Sequence, residues 1–143
     1  MKAKFALWAA GAALLAAALP ALAHHSFAAE YDASKPITIK GTFVKMDWVN
    51  PHSWIRVNVK GEDGKEVLWS CEALPPNGLY RAGWRKNSLK VGDEVVIEGF
   101  KAKDGSPTMW SSRVTTADGR RMFAGSPDGV PPSSPAGGGE RKQ

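Results

Sequence analysis

The sequence predicts a mainly β domain: a five-stranded OB-like barrel with one short helix between strands 3 and 4. Three observations carry this. Apolar residues recur at period two in five runs, and turn-forming Asp-Gly and Gly-rich steps separate those runs. The one stretch with helical spacing falls between the third run and the fourth. Those features fit a partly open five-stranded Greek-key barrel. A plain antiparallel sandwich, the rival arrangement, leaves the single helix without a purpose.

The chain starts with Lys2 and Lys4, an apolar run from Phe5 to Leu19, and Pro20-Ala21-Leu22-Ala23. A charged start, a short apolar middle and small residues at −3 and −1 describe a secretory signal peptide over 1–23, cut after Ala23. The run is short for a membrane span of about 20 residues, and no basic stop-transfer cluster follows. The expected product is periplasmic or secreted, with no transmembrane segment after cleavage. Of 143 residues, 120 then remain, one domain's worth. Seventeen Lys and Arg against fourteen Asp and Glu leave +3 on that product, too mild for a polyanion partner. Cys71 is the single cysteine, so no internal disulfide can form, and the core alone must hold the fold.

Residues 24–36 read as a leading arm with Phe27 and Tyr31 as an amphipathic hint, closed by Ser34-Lys35-Pro36. The barrel is expected over 37–125. Ile37 and Ile39 share one phase and Val44, Met46 and Trp48 the other, so Gly41 marks a bend in one long first strand. Ile55, Val57 and Val59 alternate along strand two, and Gly61-Glu62-Asp63-Gly64 closes a hairpin. Strand three sets Val67, Trp69 and Cys71 on one face, with Leu68, Ser70 and Glu72 on the other. Pro75-Pro76-Asn77-Gly78 breaks it, and Leu79, Tyr80 and Trp84 suit a short helix over 79–86. Strand four runs through Val95 and Ile97, and strand five through Trp110, Ser112 and Val114. The Asp118-Gly119 turn leads to Arg121-Met122-Phe123. From Ser126 the chain is Pro, Gly, Ser and charge, too poor in apolar residues to offset the entropy of ordering, so 126–143 is expected to be a disordered tail.

The densest stretch is Asp47-Trp48-Val49-Asn50-Pro51-His52-Ser53-Trp54, between strands one and two. Asn-Pro starts a turn and holds the preceding residue extended, which places His52 on the rim of the β-structure. Further blocks are His24 through Asp32, Leu79 through Trp84, Lys90 through Val95, and Asp118 through Arg121. With these blocks, residues 24–125 resemble a family of small exported proteobacterial proteins catalogued as a domain of unknown function (domain-of-unknown-function family 6152). The resemblance implies export and a small β-domain. The family carries no assigned activity, so it supplies no functional residue.

Two constellations bear on function. Trp48, Asn50, His52, Trp54, Arg56 and Asn58 lie on or beside strand two, the side OB barrels use for oligonucleotides and oligosaccharides. Tryptophan with arginine and amides can stack rings or sugars. The competing reading is that Trp48 and Trp69 are core and that Trp54 only shields an edge. The second constellation is the new N-terminus. A free amine with His24 and His25, joined by His52, offers the tetragonal nitrogen set that suits copper. Against it, any exposed His pair binds copper weakly.

Nucleic acid is not an expected partner, since no concentrated basic stripe is present. Nor is an enzyme expected. Ser26, Ser53 and Cys71 show no oriented histidine base, and Cys71 shares its strand phase with Val67 and Trp69 as a buried structural thiol would. The leading expectation is an exported module docking a periplasmic protein or small-molecule ligand on the barrel rim. The alternative is a copper-binding or copper-handling protein using His24, His25 and His52.

Overall fold

One long strand, Tyr31–Asp47 (β1), organises the domain by pairing on both sides. The computed structural model describes residues 27–126. The leader, His24, His25 and the tail beyond Ser126 lie outside the described residues, and with them the expected signal peptide, N-terminal metal ligands and disordered tail. The order is α1 (Phe27–Glu30), β1, β2 (Ser53–Lys60), β3 (Glu66–Ala73), α2 (Pro76–Arg81), β4 (Glu94–Ala102), β5 (Thr108–Thr116) and β6 (Arg121–Phe123). The sheet runs β3-β2-β1-β4-β5-β6, and a parallel pairing of β3 with β5 closes it into a barrel-like ring. The result is the mainly β, OB-like arrangement, with its helix between β3 and β4.

β1 serves β4 along its first part, through Thr42↔Glu94, and β2 along its last, from Thr42↔Asn58 to Asp47↔Trp54. At the crossing sits Gly41, where an added Cβ would lie 2.3 Å from the Asn58 carbonyl oxygen. Only glycine lets the two backbones come that close. The change of phase itself falls two residues later than expected, as a register shift between Phe43 and Lys45. Phe43 therefore takes the core position, 5% exposed, while Val44 is only half-buried.

The core joins Ile39 and Phe43 to Ile55, Val57, Cys71, Leu79, Trp84, Val95, Ile97, Met109 and Val114. Cys71 lies sealed within it, and burial pushes its thiol up to about 12. Trp69 packs partly buried against the same core, whereas Val67 and Leu68 are exposed on the hairpin.

Three boundaries differ from expectation. The helix occupies Pro76–Arg81 rather than 79–86. Pro76 can open a helix because its missing N–H would be unpaired there anyway, and Gly83, at φ +92°, turns the chain out of it. Trp84 is fully buried beyond the helix, its Nε1–H donating to the Phe123 carbonyl at 2.7 Å. Second, β1 starts at Tyr31, inside the stretch assigned to the leading arm, because Tyr31 pairs with Ala102 and the Lys103 N–H donates to the Glu30 carbonyl. Third, Arg121–Phe123 forms a sixth strand on β5. Among the described residues no helix is long and apolar enough to cross a membrane.

The turn before β6 carries a pH prediction. Thr116 Oγ1 donates to Asp118 Oδ1, and Arg120 Nε donates to Oδ2 at 2.9 Å. These bonds, Thr116 first, lower the Asp118 carboxyl to about 2. The stability they contribute is present above the ordinary carboxylate range near pH ~4 and is lost as pH falls through about 2. Urea midpoints of wild type and Asp118→Asn are expected to differ at pH 5 and to converge toward pH 2; a constant gap contradicts the assignment.

Candidate functional site on the outer face of the ring

Cross-strand register places Trp54, Glu72 and Trp110 side by side on β2, β3 and β5, with Phe100 of β4 next to Trp110. Their sequence neighbours Ile55, Cys71 and Met109 point into the core and are fully buried, so this row faces outward. A glutamate on an outer face is ordinarily solvated. Glu72 is only 5% exposed, because the N-terminal segment lies over it. Phe27 stacks on Tyr31 at 5.7 Å and meets Phe100 and Trp110 edge-on at 5.4 and 5.9 Å. Tyr31 in turn lies 6.0 Å from Trp110. These rings form a second, small apolar cluster outside the ring of strands.

Inside it, Glu72 has two partners. The Tyr31 hydroxyl donates a hydrogen bond to Oε2, and His52 Nδ1 pairs with Oε1. Burial, then the bond to the Glu72 carboxylate, pushes the Tyr31 phenol far above its ordinary value, which keeps it a donor. His52 reaches this position from the turn after β1, where the Asn50–Pro51 peptide bond is cis. Its ring stands edge-on to Trp110 at 5.5 Å and 90°. With Nδ1 facing the Glu72 carboxylate, Nε2 makes no hydrogen bond among the described residues, and the side chain keeps 20% of its surface exposed. A carboxylate on one nitrogen fixes both the tautomer and the ring orientation, and so decides which nitrogen is offered outward.

Beside the cluster opens a groove of about 410 Å³, lined by Tyr31, Trp54, Lys103, Asp104, Ser106 and Thr108 among others. Trp54 is braced. The Arg56 guanidinium lies 5.3 Å from its ring centre, and Arg56 itself bonds Asp47 Oδ2 at 3.3 Å and Ser70 Oγ. Lys45, and after it Arg56, holds the Asp47 carboxyl below the usual range.

The structure divides the expected rim residues. His52, Trp54, Arg56 and Asn58 alternate along one outward face leading into and along β2. Trp48 turns away and stacks on Tyr80 at 5.2 Å, partly buried against the core. Asn50 is exposed in the turn, and Asn58 reaches Glu66 at 3.4 Å, toward the hairpin. The tryptophan that His52 touches is Trp110, not Trp48 or Trp54. Sequence reasoning missed Tyr31, Glu72 and Trp110 as partners. The one signal was Glu72 itself, an acid set between Cys71 and Ala73-Leu74 where a half-buried strand should end in apolar residues.

Among the described residues no group of three or more His, Cys, Asp or Glu is placed to hold a metal.

No curated protein matches the chain. A family model described as a family of unknown function (DUF6152) matches residues 12–110, which include every member of the Tyr31–Glu72–His52 cluster and Trp110. That match covers more than half of the 143 residues, and the chain belongs to this family.

Proposed function

We propose that the chain is an exported, periplasmic binding module that takes a small molecule, or a short segment of a partner protein, in the groove beside Trp54. The observation that carries this reading is the braced indole on the groove wall. A volume of about 410 Å³ falls within the size range of small-ligand sites. Its lining combines aromatic walls, Tyr31 and Trp54, with Lys103, Asp104, Ser106 and Thr108 at the edge. That mixture favours a ligand with a flat or apolar face and polar substituents, such as a sugar or an aromatic ring.

Arg56 acts as a brace in this reading, because Asp47 and Ser70 already engage its guanidinium. Native mass spectrometry of the protein taken from its own periplasm tests the proposal. Wild type is expected to carry a bound species, and Trp54→Ala to retain about tenfold less, the loss of one aromatic anchor. Arg56→Ala is expected to lose less. Equal retention by wild type and Trp54→Ala contradicts the groove reading.

A further inference from the structure

We propose that α2 and the connection that follows it to β4 form a docking face for an anionic phospholipid bilayer. Arg81, Arg85, Lys86 and Lys90 hold the phosphates, and Val91 enters the headgroup layer. The groove beside Trp54 lies on other elements and plays no part in it.

The way this segment covers the core decides what it shows to solvent. Leu79, Trp84 and Leu89 are buried in the core cluster. Each is followed by two exposed residues: Tyr80-Arg81, Arg85-Lys86 and Lys90-Val91. The apolar anchors are thereby sorted to the inner side of the segment and the cations to the outer side.

The cations lack counter-charges. No Asp or Glu occurs from Ala73 to Gly92. Among the described residues Arg81, Arg85, Lys86 and Lys90 form no salt bridge, whereas Lys40, Arg56, Arg113 and Arg120 each pair with an acid. The Arg85 guanidinium donates to the Tyr80 and Trp84 carbonyls, which fixes its charge at the surface without neutralising it. The acids that follow are engaged: Asp93 Oδ2 accepts the Lys90 N–H at 2.8 Å, and Glu94 pairs with Lys40 at 3.4 Å. A surface kept only for solubility intersperses both signs. The mild net charge of the chain conceals this face, because its acids are placed elsewhere.

Apolar exposure at the same place selects a bilayer over an acidic protein segment. Val91 is 78% exposed, the highest value among the exposed large hydrophobics. It stands at the tip of a tight turn, closed by the Asp93 N–H on the Lys90 carbonyl at 2.9 Å, with Gly92 at φ +94° behind it. The exposed Tyr80 ring stacks on Trp48 at 5.2 Å and carries the Arg85 guanidinium 5.9 Å from its centre. A valine tip flanked by lysine, and a tyrosine among arginines, suit the interface where cations meet phosphate and amphipathic rings sit at headgroup level.

The test uses the protein purified from the periplasm. Cosedimentation is measured with vesicles of phosphatidylcholine alone and of phosphatidylcholine mixed equally with phosphatidylglycerol. Wild type is expected to bind the mixed vesicles about tenfold or more tightly, and added salt to weaken that binding. Lys86→Gln with Lys90→Gln is expected to weaken it about twentyfold, near fivefold per cation, and Val91→Ser about threefold or more. Lys60→Gln with Lys101→Gln removes the same charge from other strands and is expected to stay within about twofold of wild type. An environment-sensitive dye on Val91→Cys, the one accessible thiol because Cys71 is buried, is expected to shift to the blue on mixed vesicles. The same dye on Glu62→Cys, in the β2–β3 hairpin loop, is not. Equal binding to both vesicle types, equal loss in the two double variants, or an unshifted dye at position 91 overturns the proposal. So does binding of polyglutamate without binding of the mixed vesicles, which would assign the face to an acidic protein segment.

Discussion

Trp84→Ala is expected to lower stability by about 3–5 kcal/mol, the range for deleting a buried aromatic side chain. For a domain of this size that corresponds to a fall in Tm of about 12 °C or more. Trp84 is fully buried and lies just past α2, where Gly83 turns it under the ring. Its indole belongs to the same buried cluster as Leu79, Leu89 and the strand side chains. Its Nε1–H also ties the chain to β6 through the Phe123 carbonyl at 2.7 Å. Trp84→Phe separates the two contributions: it keeps most of the volume, drops the bond, and is expected to cost about 1–3 kcal/mol. Thermal unfolding followed by near-UV circular dichroism checks both. A Trp84→Ala protein within a few degrees of wild type would mean that the end of the ring is closed by other contacts.

Glu72→Ala should give the second largest effect, and a different one. It removes the shared acceptor and leaves the Tyr31 hydroxyl and His52 Nδ1 without partners in a nearly dry cluster. Each buried donor left unpaired costs about 1–3 kcal/mol. The loss is local in origin. Amide exchange should accelerate most over Phe27–Tyr31 and the turn before Ser53, with less change in the core strands β4 and β5. Glu72→Gln keeps one acceptor oxygen but turns an amide NH₂ toward the other donor, so it falls between alanine and wild type. The coupling of Tyr31→Phe with Glu72→Gln in a double-mutant cycle should exceed about 0.5 kcal/mol, the lower end of what contacting residues show. Independent, additive costs would place Tyr31 outside the network.

The strands were legible because burial in a closed sheet imposes period two, which Ile55-Val57-Val59 and Val95-Ile97 display openly. The hairpin turns were legible because Gly64 and Gly105 need positive φ, +78° and +79°, which glycine adopts without cost. The helix was displaced because Pro75-Pro76 was read as a breaker, although proline is compatible with a first helical turn. The site was half legible. Its rim histidine and the Trp54–Arg56 pair follow from alternation along β2, a local property. Glu72 does not, since its burial comes from Phe27 and Tyr31, which are over forty residues away in sequence and fold onto the outer face of β3 and β5. An acid between Cys71 and Ala73-Leu74 marks the position as unusual, but nothing local says which residues cover it. Trp110 is the same case: its partner across β5 is a strand that no local rule assigns to it, the parallel neighbour β3.

The most direct test of the account is the protonation pattern of the His52 ring, read from ¹⁵N shifts of ¹⁵N-histidine-labelled protein at neutral to mildly alkaline pH. The account requires a protonated, pyrrole-type Nδ1 and a pyridine-type Nε2 in the folded metal-free protein, with that preference lost in Glu72→Ala. A ring protonated on Nε2, or one averaging between tautomers as in a free histidine, would contradict it, because neither can be the imidazole that Glu72 holds.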